Sequence, residues 1–393
     1  MTERDASEPR LSVARRSGDA VSPLELFFDL VFVLAITQCS ALMAHDPSWR
    51  GLAHGLVVLG LLWWSWVGYA WLTSVVDPDD GAVRLVLFAA MAALLVCSLA
   101  VPQAFEDLGL TFAIAYGAVR AAHIALFVLA SREDPELRHS VMGLAASTAF
   151  AVAVLTAGTT AHGSARLGVW AIALAFDMAA PLVIDTSGWR LVPGHFAERH
   201  GLIVIVALGE SIVAIGVGAE AGIDAGVVVA AVLGVAVAGA LWWMYFDTAA
   251  PAAALRLAEI EDVRERNELA RDAFSYLHLP MVAGIVLLAL GVKTTLEDVG
   301  HTLSWEATVA LVGGPATYLL AHVVFKRRVI ATLSVQRLVT AAALVAFVPF
   351  AHRLAAVASL AAVVVVLWSL LLYETVRFAD ARRAVRNGSV RPP

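Results

Sequence analysis

Residues 224–247 read DAGVVVAAVLGVAVAGALWWMYFD, so 22 uncharged residues lie between two aspartates. A helix of that length, at 1.5 Å per residue, crosses a hydrocarbon core roughly 30 Å thick. The same pattern recurs along the chain. Apolar blocks run over 24–44, 51–73, 83–102, 108–130, 139–158 and 166–185, then over 201–219, 224–247, 273–292, 305–325, 333–350 and 354–375. The 393 residues are 60% hydrophobic and 15% charged, with a mean hydropathy of +0.80, whereas about a quarter of a soluble domain is charged. Backbone groups must be paired inside lipid, and these runs are too long and continuous for barrel strands. The chain therefore reads as an all-α polytopic membrane protein with twelve transmembrane helices. The expected division is a disordered cytoplasmic tail over 1–22, a six-helix half over 23–185, a second over 186–378, and a cytoplasmic tail over 379–393.

Basic residues set the orientation, because cytoplasmic connections carry an excess of Lys and Arg. With the N-terminus inside, 21 of the 27 fall in cytoplasmic segments and 4 in external ones, Arg120 and Arg337 lying within or at the edge of helices. Both termini are expected on the cytoplasmic side of a bacterial plasma membrane. No small-residue cleavage site follows the polar first 22 residues, which are read as a tail and not as a signal peptide. The stretch 248–271, charged and rich in helix formers, is expected to extend the eighth helix into water or to lie on the interface.

Two similar halves are visible within the sequence. Leu62-Trp63-Trp64 near the end of the second block matches Leu241-Trp242-Trp243 in the eighth. Phe105-Glu106-Asp107-Leu108-Gly109 matches Leu296-Glu297-Asp298-Val299-Gly300, and Val33–Thr37 pairs more loosely with Ile205–Gly209. Six helices per unit imply repeats of one orientation, related by an axis along the membrane normal. Most of Trp63, Trp64, Trp66, Trp71, Trp242, Trp243 and Tyr245 are expected in an interfacial aromatic belt.

A charge at the bilayer centre costs ~2.5–3.5 kcal/mol on insertion scales, so each intramembrane ionisable group needs a reason. Glu25 and Asp29 share one face of the first helix, Asp29 a turn deeper. Asp177 precedes Pro181, and Glu210 follows Gly209 in the middle of its block. His278 stands one turn into the ninth block. These five are the candidates for an ion-binding, solute-binding or proton-titrating site, each with a structural alternative of pairing or capping a neighbouring helix. Arg120 cannot shed its proton and is expected to form an ion pair with Asp29, Asp177 or Glu210. Glu210 is expected to face the interior between the halves, in a polar cavity near Asp29 or His278, with Gly209 leaving room for a neighbouring helix or a water. Gly313-Gly314-Pro315 should loosen the tenth helix locally.

Other chemistries lack their residues. Cys39 and Cys97 fall inside apolar runs and read as free thiols. Metal-ligand spacing, a phosphate loop, a dinucleotide fingerprint and a nucleophile elbow are all missing, so no cofactor, metal or catalytic constellation is expected. The expected partners are the lipid bilayer and a small ion or solute, not nucleic acid; a homo-oligomer is compatible with the sequence.

Five segments resemble the bacterial low temperature requirement A (LtrA) family: PLELFFDLVFVLAITQ, ERHGLIVIVALGESIVA, LWWMYFD, YLHLPMVAGIVLLALG and GGPATYLLAHVVFKRR. The resemblance extends from about Pro23 to Arg328. Its motifs fall on Glu25, Phe27, Phe28 and Asp29, on Glu198, Gly201 and Glu210, and on His278 and Pro280. It implies a polytopic bacterial membrane protein linked to growth or stress tolerance at low temperature, with no agreed biochemical activity. Phe27-Phe28-Asp29 with Thr37 also resembles the first helix of endolysosomal and prokaryotic potassium channels, which are built from six-helix units. There the motif is Phe-Ser-Asp. Phe28 in place of serine, and Arg199-His200-Gly201 at the start of the second half, depart from that design. Three readings follow: a pore or carrier, a non-transporting protein that maintains the envelope in the cold, and a membrane-embedded lipid-modifying enzyme.

Overall fold

The computed structural model describes residues 16, 18–184, 188–220 and 222–386. Eleven of its helices are long and apolar enough to cross a membrane: α1 (Pro23–His45), α2 (Trp49–Val75), α3 (Gly81–Gln103), α4 (Gly109–Ala130), α5 (Pro135–Gly158), α6 (Ser164–Val183), α7 (Pro193–Gly218), α8 (Ala225–Glu259), α9 (Val263–Glu297), α10 (Trp305–Ile330) and α12 (Ala356–Arg377). Between the last two lies α11 (Val335–Ala351), apolar but only 17 residues long and carrying Pro349 in its last turn. The block expected over 333–350 is thus a helix, shorter than the other eleven. A short, strongly amphipathic α13 (Ala379–Arg386) follows α12.

The charged stretch after the eighth block is resolved into two helix ends. α8 and α9 are each 35 residues long, about 50 Å, and run well past a hydrocarbon core. They meet at Ile260–Asp262, where Asp262 caps the start of α9 by accepting from the Glu265 N–H. Exposed pairs such as Arg264–Glu268, 3.1 Å, line this protruding hairpin.

Three π-helical segments interrupt the second half: Tyr245–Ala249 in α8, Ala270–Tyr276 in α9 and Val309–Gly313 in α10. The last immediately precedes Gly314-Pro315, where the sequence predicts a loosened helix. Proline supplies no N–H to the helical ladder, and the extra residue of a π-bulge absorbs that defect.

The contacts among α1–α6 recur among α7–α12, where α8–α9, α9–α12 and α10–α12 also touch. α1 packs on α2 and α3, α2 on α4 and α6, and α3–α4, α4–α5 and α5–α6 are adjacent. Adding six to each number gives the contacts of the second half: α7 with α8 and α9, α8 with α10 and α12, then α9–α10, α10–α11 and α11–α12. Burial does not repeat in the same way. Trp63 is fully buried, whereas Trp242, its sequence counterpart, is 47% exposed. Trp242 and Trp243 are exposed as a belt requires, but Tyr245 and, on α2, Trp63, Trp64 and Trp66 are buried. The Trp63 indole donates to the Ser275 carbonyl at 2.8 Å, and Trp71 donates to the Ser275 hydroxyl at 3.0 Å. Buried indoles need such partners.

α9 is the central strut, touching α1, α2, α7, α8, α10 and α12. Its approach to α10 needs glycine on both helices. A Cβ on Gly284 would stand 2.6 Å from the Gly314 carbonyl oxygen, and one on Gly291 would stand 2.4 Å from the Leu311 Cα. Lipid gives no hydrophobic drive for helix association, so close backbone packing of this kind carries the interface. Gly284→Ala is therefore expected to destabilise the protein by roughly 1–3 kcal/mol, read as a lower melting temperature in detergent. An unchanged melting curve would mean that α9 and α10 can part without loss.

Candidate functional site

α1 and α7 pack together along a seam and run from equivalent starts. Pro23 and Pro193 each occupy the first turn of their helix. Counting from them in step, Glu25 meets His195 and Asp29 meets Arg199, both pairs 170 residues apart. The His195 Nε2–H donates to Glu25 Oε1 at 2.8 Å. The Arg199 guanidinium bridges the two acids, with Nη1 3.0 Å from Glu25 Oε1 and Nη2 2.9 Å from Asp29 Oδ1. The same Asp29 oxygen accepts the Trp66 indole N–H at 2.8 Å, and Arg199 lies 5.6 Å from the centre of the Trp66 ring. All four charged or titratable residues are buried.

Glu25 is occupied on its other oxygen as well. Ser22 caps α1 by accepting from the Glu25 N–H, and Glu25 Oε2 accepts from the Ser22 N–H at 2.9 Å, which closes a capping box. Arg16 pairs with that oxygen too. Its backbone N–H donates to the Val75 carbonyl at 3.0 Å and its Nε to the Thr73 carbonyl at 2.7 Å. The end of the segment expected as a free tail is thus docked on the bundle; residues 1–15 and 17 lie outside the described residues. Val21, farther along it, donates its N–H to Glu198 of α7 at 3.2 Å.

Two turns beyond Asp29, the seam holds a second polar contact of a different kind. The Thr37 hydroxyl donates to Glu210 Oε2 at 2.6 Å, and Ser40 offers a second hydroxyl. Glu210 is only 3% exposed. Among the described residues no Lys or Arg forms an ion pair with it; Lys293 of α9 acts at longer range. The expected proximity to Asp29 or His278 is not found. α7 begins at Pro193, well before the block edge at 201, and its register turns Glu210 towards Thr37. A Cβ on Gly209 would meet nothing within 4 Å, so of the two neighbours expected there a packed helix is not found.

The other predicted residues stand apart. Arg120 of α4 pairs with Asp177 of α6, Nη2 to Oδ2 2.9 Å. It also donates to the Thr148 hydroxyl at 2.7 Å and the Trp64 carbonyl at 3.1 Å. Of the three acids expected as partners, Asp177 is the one reached. His278 donates from Nδ1 to the Ala273 carbonyl at 3.0 Å, inside the π segment of α9. That fixes Nε2 as the acceptor of the Tyr245 hydroxyl, 2.8 Å away. Glu25 and Asp29 are therefore joined, while Asp177, Glu210 and His278 each belong to a separate contact.

Sequence reasoning missed three members of these networks: Arg16, His195 and Arg199. It also missed a buried pair in the second half, where Arg337 of α11 grips Glu374 of α12 through two nitrogens, 2.8 and 2.7 Å. No group of three or more His, Cys, Asp or Glu able to hold a metal occurs among the described residues.

No solved structure matches this chain. It is similar to an uncharacterized protein of Rhizobium meliloti (strain 1021), 30% identical over 320 residues that cover 77% of this chain and 76% of that protein. The family model described as bacterial low temperature requirement A protein matches residues 20–372, a span that contains the whole α1–α7 seam and both helix ends that build it. The chain belongs to the bacterial low temperature requirement A (LtrA) family.

Proposed function

We propose that the protein is a pore or carrier for a small ion or solute in the bacterial plasma membrane, serving growth or stress tolerance at low temperature. The observation that carries this reading is the state of Glu210. Each of the other deep acids, Glu25, Asp29, Asp177 and Glu374, has an arginine within 3.0 Å. Glu210 has hydroxyls instead, both from the opposite half. A carboxylate cannot stay charged and uncompensated in hydrocarbon, so its place is filled by a proton or a small cation that can leave again. The side chain is also too short to reach the headgroups from this depth.

The charge asymmetry of the connections supports cytoplasmic termini, even with Arg199 now inside α7. The shared neighbour pattern and the 170-residue register of α1 and α7 support two repeats related by an axis along the membrane normal. A substrate site at the repeat interface is the arrangement such folds use. The lipid-modifying reading needs a nucleophile bonded to a base, and the Ser211 hydroxyl beside Glu210 has no partner among the described residues.

The test is flux through purified protein in liposomes, screening H⁺, Na⁺, K⁺ and neutral osmolytes one at a time. Flux of one of these above protein-free liposomes is expected. Tight vesicles with correctly folded protein and no flux of any of them would leave the non-transporting reading in its place.

A further inference from the structure

A cavity of about 190 Å³ opens where α8, α10, α11, α12 and α13 come together. Three cations line it, Lys326, Arg337 and Arg382, with two carboxylates, Asp247 and Glu374. Both acids are already engaged by arginines. Arg337 holds Glu374 through two nitrogens, Gln336 adds an N–H to the same carboxylate at 2.9 Å, and Arg382 Nε lies 2.7 Å from Asp247. Lys326 is left over. It is half-buried, faces the cavity, and has no hydrogen bond or ion pair among the described residues. The remaining walls are mostly apolar, including Trp243, Phe325, Leu371 and Phe378, with Thr248, Thr332 and Ser334 among them.

We propose that this cavity binds a phosphate oxyanion carrying one net negative charge, held by Lys326 with Arg382 beside it. The site stands apart from the α1–α7 seam and needs no transport for its test. The charge count gives the class. Three cations against two acids leave one positive charge, which a net-anionic phosphodiester neutralises and a zwitterionic headgroup, whose own ammonium cancels its phosphate, does not. An ammonium held between apolar walls is costly without such a partner. The position fits an amphiphile, since the charged groups sit at the ends of apolar spans and the aromatic walls continue from them. Three ammonium donors can meet phosphate oxygens without the fixed geometry that a guanidinium demands.

Phosphate chemistry reaches this site either as an acidic lipid headgroup or as free phosphate, and the experiment separates them. Thermal unfolding of the full-length protein in detergent is followed with dihexanoyl phosphatidylglycerol, dihexanoyl phosphatidylcholine or inorganic phosphate. A stabilising ligand raises the melting temperature by mass action. Phosphatidylglycerol is expected to raise it by about 3 °C or more, phosphatidylcholine by far less. Lys326→Gln should lose most of that shift and Lys326→Arg should keep it. Native mass spectrometry should show at least a fivefold lower fraction of phosphatidylglycerol adduct on Lys326→Gln than on the parent. An equal shift with inorganic phosphate supports the site and identifies free phosphate as a source. Equal shifts with both lipids, no shift with either anion, or a full shift in Lys326→Gln would each overturn the proposal. Should Lys326→Gln not accumulate, Arg382→Gln carries the same comparison.

Discussion

Arg199→Met is expected to cost roughly 3–5 kcal/mol of stability, because it strands the buried Asp29 carboxylate and takes one of the partners of Glu25 as well. Arg199 is the bridge between Glu25 and Asp29, 3.0 and 2.9 Å from them. Arg16 and His195 remain for Glu25. Asp29 keeps only the Trp66 indole, which carries no charge. Arg199→Lys should recover part of the loss, since one ammonium cannot face both acids as the two guanidinium nitrogens do. The decisive comparison is a double-mutant cycle. Asp29→Asn removes the stranded charge, so Asp29→Asn with Arg199→Gln should cost less than the two single changes added, by about 0.5–3 kcal/mol. Melting temperature and the yield of monodisperse protein in detergent are the measurements. Strict additivity would show that the pair does not lock the halves together.

Which residues were legible in the sequence follows from what each inference needed. Depth needs only a helix count, so Arg120, Asp177 and Glu210 could be placed in the membrane from the apolar blocks alone. A partner needs packing: three acids were open to Arg120, and the packing of α4 and α6 on α2 and α5 selects Asp177. Arg199 and His195 were misread because a hydrophobic block starts where charge stops. The seventh block was drawn from residue 201, while the helix begins at Pro193 and buries its basic first turns against α1. Proline at the first helical turn was the available signal. Setting Pro23 against Pro193 would also have placed acid opposite base at both positions. The tryptophans of α2 show the reverse limit. Composition cannot distinguish an indole at a lipid interface from one whose N–H reaches a buried acceptor, and Trp63 and Trp66 are of the second kind.

The second large effect belongs to Glu210→Gln, expected to reduce flux per folded molecule at least tenfold while moving the melting temperature by no more than about 2 °C. The two side chains have nearly the same shape. Glutamine keeps a carbonyl to accept from Thr37, now 2.6 Å from the carboxylate, and leaves no charge behind. The fold should therefore tolerate the change, because among the described residues no cation is ion-paired with Glu210 to be stranded. What glutamine cannot do is take up and release a proton or neutralise a passing cation. Thr37→Val tests the same contact from the other half. It removes one donor but spares the carboxylate, so its effect on flux should be smaller than that of Glu210→Gln and should alter the pH dependence instead of abolishing transport. Asp177→Asn is the contrasting case: Asp177 faces Arg120 at 2.9 Å, and its loss should lower stability with flux per folded molecule unchanged. If Glu210→Gln instead lowers the melting temperature and leaves flux per folded molecule intact, the hydroxyl-bound carboxylate is a strut between the halves. The transported species must then be sought along another path.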